Sequence, residues 1–378
     1  MKKSLLALAA MGAFVGTAQA QSSVTVSGLL EAGYTSKDVR ALGSTTSNTK
    51  QSAITGGSTN GGHVVTPQIT FSGTEDLGGG LSAGFFIQEE FDTATGSTET
   101  GGSLTKLSQT FVTLGSKQFG SINVGNKNHA TRDIGGVYRF MGDIGRLNGN
   151  FNLTNNFGNT IEYVSPTVSG FSISAGHGSA GKSTASSADT NVTPASLTTF
   201  GIRGTVGKGT IAATHETNKT VAAAAGAAQP KLTQTTLAGN YDFGMAKVGL
   251  VYAGQDYKLA TGADGGKRNA MGVHLAAPVT KAITLGASLT QYKVKPAGGG
   301  AEPKADVLTL AAQYAFSKRT SIYGSYQTLK NSGAANALAG LSATSINGGS
   351  ASGTRGLGVV ETTGQTASGM GLTIVHSF

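Results

Sequence analysis

Apolar side chains recur at every second position through most of this 378-residue chain. In KAITLGASLTQYK, Ile283, Leu285, Ala287 and Leu289 alternate with Thr284, Gly286, Ser288 and Thr290. DVLTLAAQYAF sets Leu308, Leu310, Ala312, Tyr314 and Phe316 against Thr309, Ala311 and Gln313. TTFGIRGTV sets Phe200, Ile202 and Val206 against Thr199, Arg203 and Thr205. The closing GMGLTIVHSF keeps Met370, Leu372, Ile374, His376 and Phe378 in one phase. A period of two describes strands with one apolar face and one small or polar face.

The connections alternate as well. Short turns are predicted at 74–80, 116–120, 165–170, 207–209, 243–245, 277–281 and 317–319. Longer stretches rich in Gly, Ser, Thr and Ala lie near 35–62, 93–106, 127–158, 179–197, 217–232, 257–268, 294–305 and 330–365. Seven short and eight long connections join sixteen strands, and an even count with this alternation is the pattern of an outer-membrane barrel. Lipid offers no partner to a backbone N–H or C=O, so a spanning sheet must close on itself. Closure turns the apolar face outward, whereas a soluble sandwich would bury it. Tyr163 with Phe171, Tyr241 with Phe243, and Tyr314, Phe316 with Tyr323 sit beside short turns, where an interfacial girdle belongs.

The first twenty residues read differently. Two lysines, an apolar run from Leu5 to Val15 and Ala18-Gln19-Ala20 form a secretory signal peptide, with cleavage expected after Ala20 and a single barrel domain over 21–378. The run is too short for a transmembrane helix. Zero cysteines in an exported chain removes the disulfide-scaffold class. The net charge of +9 falls to +7 once Lys2 and Lys3 leave, and the basic residues are scattered rather than gathered into a nucleic-acid stripe.

The stretches MKKSLLALAAMGAFVGTAQAQSSVTVSGLLEAGY, TEDLGGGLSAGF, IEYVSPTVSGFSIS, YAFSKRTSIYGSY and the terminal HSF, in this order and spacing, resemble the trimeric general porins of β-proteobacteria. The resemblance spans most of the chain. It implies an all-β, 16-stranded antiparallel transmembrane β-barrel with short periplasmic turns, long extracellular loops and an inward-folded third loop. It also implies a homotrimer in the outer membrane, surrounded by lipid and lipopolysaccharide, that passes small hydrophilic solutes and inorganic ions. Phe378 is then the address read by the barrel-insertion machinery, and Ser23–Gly33 should pair with Gly369–Phe378.

By the same resemblance the stretch from Lys127 to Phe157 narrows the pore, with Lys127, Arg132, Asp133, Arg139, Asp143 and Arg146 at the constriction. Strand phase adds Glu31, Glu90 and Arg203 to the lumen, and Lys247 nearer a turn. Relatives commonly carry arginines before EDLGGG; here Gln68 and Ser72 stand there, and Asn126 stands where another arginine is common. The expected pore is therefore weakly selective, leaning to anions through the constriction loop. Pro67 suits the outer end of its strand, since a proline amid a sheet loses a ladder bond. An adhesin or a substrate-specific binding barrel remains open as an alternative, given the long Ser/Thr/Gly stretches. Six scattered histidines without recurring partners give no catalytic constellation, and neither a metal site nor a cofactor is expected.

Overall fold

In the computed structural model, the described residues are 23–40, 49–56, 64–96, 108–128, 130–142, 156–179, 196–219, 228–300, 302–332 and 366–378. The strands are β1 Ser23–Arg40, β2 Thr49–Thr55, β3 Gln68–Gly78, β4 Leu81–Glu90, β5 Gln109–Ser116 and β6 Gly120–Asn128. Then come β7 Asn156–Val164, β8 Phe171–Ser179, β9 Ser196–Val206, β10 Gly209–Lys219, β11 Lys231–Asp242 and β12 Lys247–Lys258. The last five are β13 Asp264–Pro278, β14 Ile283–Lys295, β15 Lys304–Ala315, β16 Thr320–Ser332 and β17 Thr366–Ser377. From β3 to β17 each strand is antiparallel to the next, and β17 returns to β1, so the sheet has no open edge.

Seventeen segments make sixteen wall strands, because β2 and β3 are two pieces of one. The first half of β1 pairs with β3, Leu29 opposite Gln68, and the second half pairs with β2, Gly33 opposite Thr55. Before β3, Val64 and Val65 stand off the wall, their N–H groups turned to the Glu31 carboxylate. The gap is stitched from the other side: Phe91 N–H donates to the Pro67 carbonyl at 3.1 Å and Thr93 N–H to Gly56 at 2.7 Å. Pro67 therefore sits in the body of the wall, not at an outer end. The strand break is what admits it, since its missing N–H falls where the ladder is already interrupted.

Two other expectations shift. The stretch 35–62 is not one loop: β1 runs on to Arg40 and β2 occupies Thr49–Thr55. The closing pair is also displaced, with Leu29–Arg40 opposite Thr366–Ser377. Barrel strands tilt and stagger, so the first residues of β1 project past the end of β17 and meet only β3. Phe378 still reaches this seam, exchanging backbone bonds of 3.0 and 3.1 Å with Gly28.

Phase decides what each face meets. Val24, Val112, Leu237, Met271, Leu289 and Leu372 are exposed on the outer face, while Glu31, Glu162, Glu216, Thr236, Thr290 and Gln327 are buried on the inner one. Around the short turns Phe119, Tyr163, Phe171, Tyr241, Phe243, Tyr314 and Phe316 are exposed outward, and the Tyr163 hydroxyl donates to the Phe119 carbonyl. Tyr323 does not join this girdle. It is in register with Gln313 and Thr373, the latter buried, so it faces the interior.

Candidate functional site: a loop laid across the interior

After β6 the chain turns inward as two single helical turns, Ala130–Asp133 and Gly135–Tyr138. Their apolar side chains, Ile134, Val137 and Tyr138, pack on Ala212, Ala238, Val251 and Ala270 from the inner faces of β10–β13. A short helical turn has too few internal hydrogen bonds to hold itself, so the wall must fix it. Glu216 on β10 does so at the first turn, its buried carboxylate accepting the Thr131 N–H at 2.8 Å. The Thr131 and Thr214 hydroxyls are bonded beside it at 2.8 Å.

Further attachments follow strand by strand. The Asn240 side-chain amide donates to the Val137 carbonyl. Tyr138 lies against the buried His274, ring centroids 5.2 Å apart. Lys247 stacks over the Phe140 ring at 4.9 Å, and Met141 shares a small cleft with Gly286 on β14. The segment then meets the excursion of the second wall strand. Gly142, at φ +62°, lies so close to Val64 that a Cβ there would overlap the Val64 carbonyl. Val64 is itself clamped from β1: its N–H reaches both Glu31 carboxylate oxygens, at 3.0 and 2.9 Å, and Val65 N–H adds 2.6 Å. Loop and excursion together form a bar from β14 to β1, with Glu31 as its far anchor.

The charged residues divide by role. Lys127 bridges two carboxylates, Asp133 at 3.1 Å and Glu162 at 3.0 Å, and Glu162 also accepts from the Asn123 amide. Arg139 folds back so that its Nε donates to the Gly135 carbonyl at 3.0 Å. Glu90 is buried at the end of β4 with Asp92 just beyond it. Arg203 is exposed on the inner face of β9, where no ion pair engages it among the described residues. It lines a cavity of about 140 Å³ with Lys127, Asp133, Glu162, Ser174 and Thr214. Arg132 stands in the first helical turn, but its side chain lies outside the described residues, as do Asp143 and Arg146 entirely. Gln68 and Ser72 alternate with the exposed Phe71 and face inward, while the Asn126 amide is bonded to the Ser108 carbonyl.

Glu162 and Glu216 escaped sequence reasoning. Both lie in phase with polar inner positions and out of phase with the exposed Ile161 and Ile211, a signal strong enough to place them inside. What they would hold there depends on a loop distant in sequence.

A closed barrel with an apolar outer surface, a polar interior and a loop laid across it is a transmembrane channel with a built-in constriction. The family profile of Gram-negative porins matches residues 7–334, and the chain belongs to that family. It forms a water-filled channel of the outer membrane through which small hydrophilic solutes and ions diffuse passively. An outer membrane porin protein of Bordetella pertussis is 29% identical over 370 residues, covering 86% of this chain and 94% of that one. Outer membrane porin protein 32 of Delftia acidovorans is 28% identical over 368 residues, covering 92% and 94%. Among solved structures, an anion-selective porin from Comamonas acidovorans superposes with a TM-score of 0.73 at 23% identity, over 94% of this chain and 100% of that one. A trimer form of OmpT from Vibrio cholerae gives 0.65 at 14%, over 94% and 99%.

Proposed function

We propose that this porin is a weakly selective channel with a slight preference for anions. The observation that carries the reading is the balance of charge inside. Among the described residues, Lys127, Arg139, Arg203, Lys247 and Arg268 share the interior with Glu31, Glu90, Asp92, Asp133, Glu162 and Glu216, and Asp92 is spent on the Ala94 and Thr95 N–H groups. Most are spent on structure: Glu31 and Glu216 hold backbone N–H groups, and Lys127 is bound to two carboxylates. Among the described interior cations Arg203 is the one left exposed to a passing solute, and a fixed charge on a lumen wall sets the local ion concentration. Gln68 and Ser72, uncharged on the inner wall, keep that bias small. The similar chain described as anion-selective supports the sign.

Arg203→Gln is expected to move the zero-current potential in a salt gradient toward cation preference with little change in conductance. The triple change Arg132→Gln, Arg139→Gln and Arg146→Gln should shift it the same way. An unchanged potential in both would refute the proposed roles of these arginines.

The remaining assignments extend the same proposal. The chain acts as a homotrimer, after removal of residues 1–20, surrounded by outer-membrane lipid and lipopolysaccharide, with Phe378 read by the insertion machinery. Among the described residues, exposed His177, His215 and His376 each bond a threonine hydroxyl, which suits a wall residue of a channel.

A further inference from the structure

We propose that the inner wall of β1, β3, β4 and β5 carries a binding site for a neutral, hydroxylated solute with one flat apolar face, a pyranose ring being the type. The site rests on the channel reading above, since the solute meets it in transit. It does not depend on the balance of charge.

Two rings form its side. Phe86 on β4 and Phe111 on β5 are opposite each other in register and point inward, out of phase with the exposed Phe85 and Val112. The rings stack, with centroids 5.2 Å apart and planes 17° apart. Strand order puts Lys127 of β6 beyond Phe111, its ammonium 5.8 Å from that ring's centroid. Phe111 thus has a partner on each side, one aromatic and one cationic. Phe86 has a ring on one side only. Toward β3 it is opposite Ser72, whose side chain is too small to cover a phenyl face. Phe86 is half-buried, so the stack is not sealed from the lumen.

Polar groups converge beside that face. Thr25 and Ser27 of β1 are in register with Ser72 and Thr70 of β3, and all four share the inner phase of Glu31 and Gln68. Thr70 is in turn opposite Gln88 of β4. The Gln88 Oε1 accepts from the Ser108 hydroxyl at 3.1 Å and from the Gln109 amide at 2.9 Å, which fixes the side chain. Its own amide nitrogen has no partner among the described residues, and neither has the Thr70 hydroxyl. Yet Thr70 is only 7% exposed and Gln88 only 6%. Polar groups so deeply set normally find a partner.

These features select the ligand. A purely apolar solute would cover Phe86 but leave the Thr70 and Gln88 groups unmet. An anion would find no spare cation on this wall: Lys127 is held by Asp133 and Glu162, and Ser72 stands where relatives commonly carry arginine. Hydroxyls rimming a flat apolar ring satisfy both the phenyl face and the polar groups. The site lies on the short-turn side of Glu31, which anchors Val64, so it adjoins the far end of the bar.

The test uses full-length mature channels in a planar bilayer, with open-channel current titrated by D-glucose or by D-sorbitol, an open-chain polyol of nearly the same mass. Glucose should lower the wild-type current saturably, whereas sorbitol should lower it only in proportion to solution viscosity. Phe86→Leu keeps an apolar side chain and removes the flat face; Thr70→Val keeps the shape and removes the hydroxyl. Each should raise the half-saturating glucose concentration about three- to tenfold. Phe85→Leu, on the outer face of the same strand, should titrate as wild type does. No saturation in wild type, equal behaviour of glucose and sorbitol, or losses in Phe85→Leu matching those in Phe86→Leu would overturn the site. Salt current without sugar separates the two readings: a conducting wild type indifferent to glucose overturns the site and leaves the channel standing, while a wild type without current overturns both.

Discussion

A chain ending at residue 365, without β17, should not reach the membrane as a folded barrel. β17 faces β1 over twelve residue pairs, Leu29–Arg40 with Thr366–Ser377, and faces β16 on its other side from Thr320 to Lys330. Its removal leaves two long edges whose backbone groups would meet hydrocarbon. Each unsatisfied group there costs several kcal/mol, so the total exceeds any stability the remaining strands supply. Removing Phe378 alone takes away two backbone bonds to Gly28 and the ring that covers it. The expected outcome is graded: no folded barrel for the truncation, and a reduced yield for the single deletion. Resistance to unfolding by detergent at room temperature, followed as band mobility before and after heating, reads both. A truncated chain that still migrates as a compact species would show that β16 and β1 can close the wall directly.

The second large effect concerns the bar. Glu31→Ala with Glu216→Ala removes both carboxylate anchors, leaving the N–H groups of Val64, Val65 and Thr131 without their acceptors. A buried donor left unpaired costs about 1–3 kcal/mol, whereas one that swings into lumen water is satisfied. The loop and the excursion should therefore detach rather than the barrel unfold. Single-channel conductance should rise on the order of twofold and the open-state current should become noisy, since a wider and mobile constriction passes more ions. The Gln variants retain one acceptor oxygen each and should fall between. A quiet wild-type conductance in the double alanine variant would mean that the apolar packing of Ile134, Val137 and Tyr138 suffices to hold the loop.

How much of this was legible in the chain can be judged residue by residue. Phase alone placed Arg203 and Glu31 inside and Leu285 outside, because a two-residue period leaves a side chain only two directions. Short turns were legible for the same local reason: Gly120, at φ +85°, and Gly170, also at +85°, meet a backbone demand that neighbours set. The bar was not legible. Glu216 and Thr131 are 85 residues apart, and nothing near either one names the other. Nor was the place of Val64, held inside by the Glu31 carboxylate 33 residues away, because the polar stretch 35–62 before it reads as an ordinary loop. Tyr323 was misplaced because nearness to a turn was weighed above phase.

The strand break has a consequence for what the wall tolerates. In β2 the odd-numbered Thr55 points inward and Ile54 outward; in β3 the even-numbered Gln68 pairs with the inner-phase Leu29 and Phe71 points outward. The phase has flipped between them, which an unbroken strand cannot do without turning its faces inside out. Inserting or deleting a single residue elsewhere in the wall would carry leucines into the water column. The break between β2 and β3 separates the two phases, so the parity of the residue count across it does not set the face of either piece. A peptide spliced in at this break would leave both pieces of the strand with their lipid-facing sides.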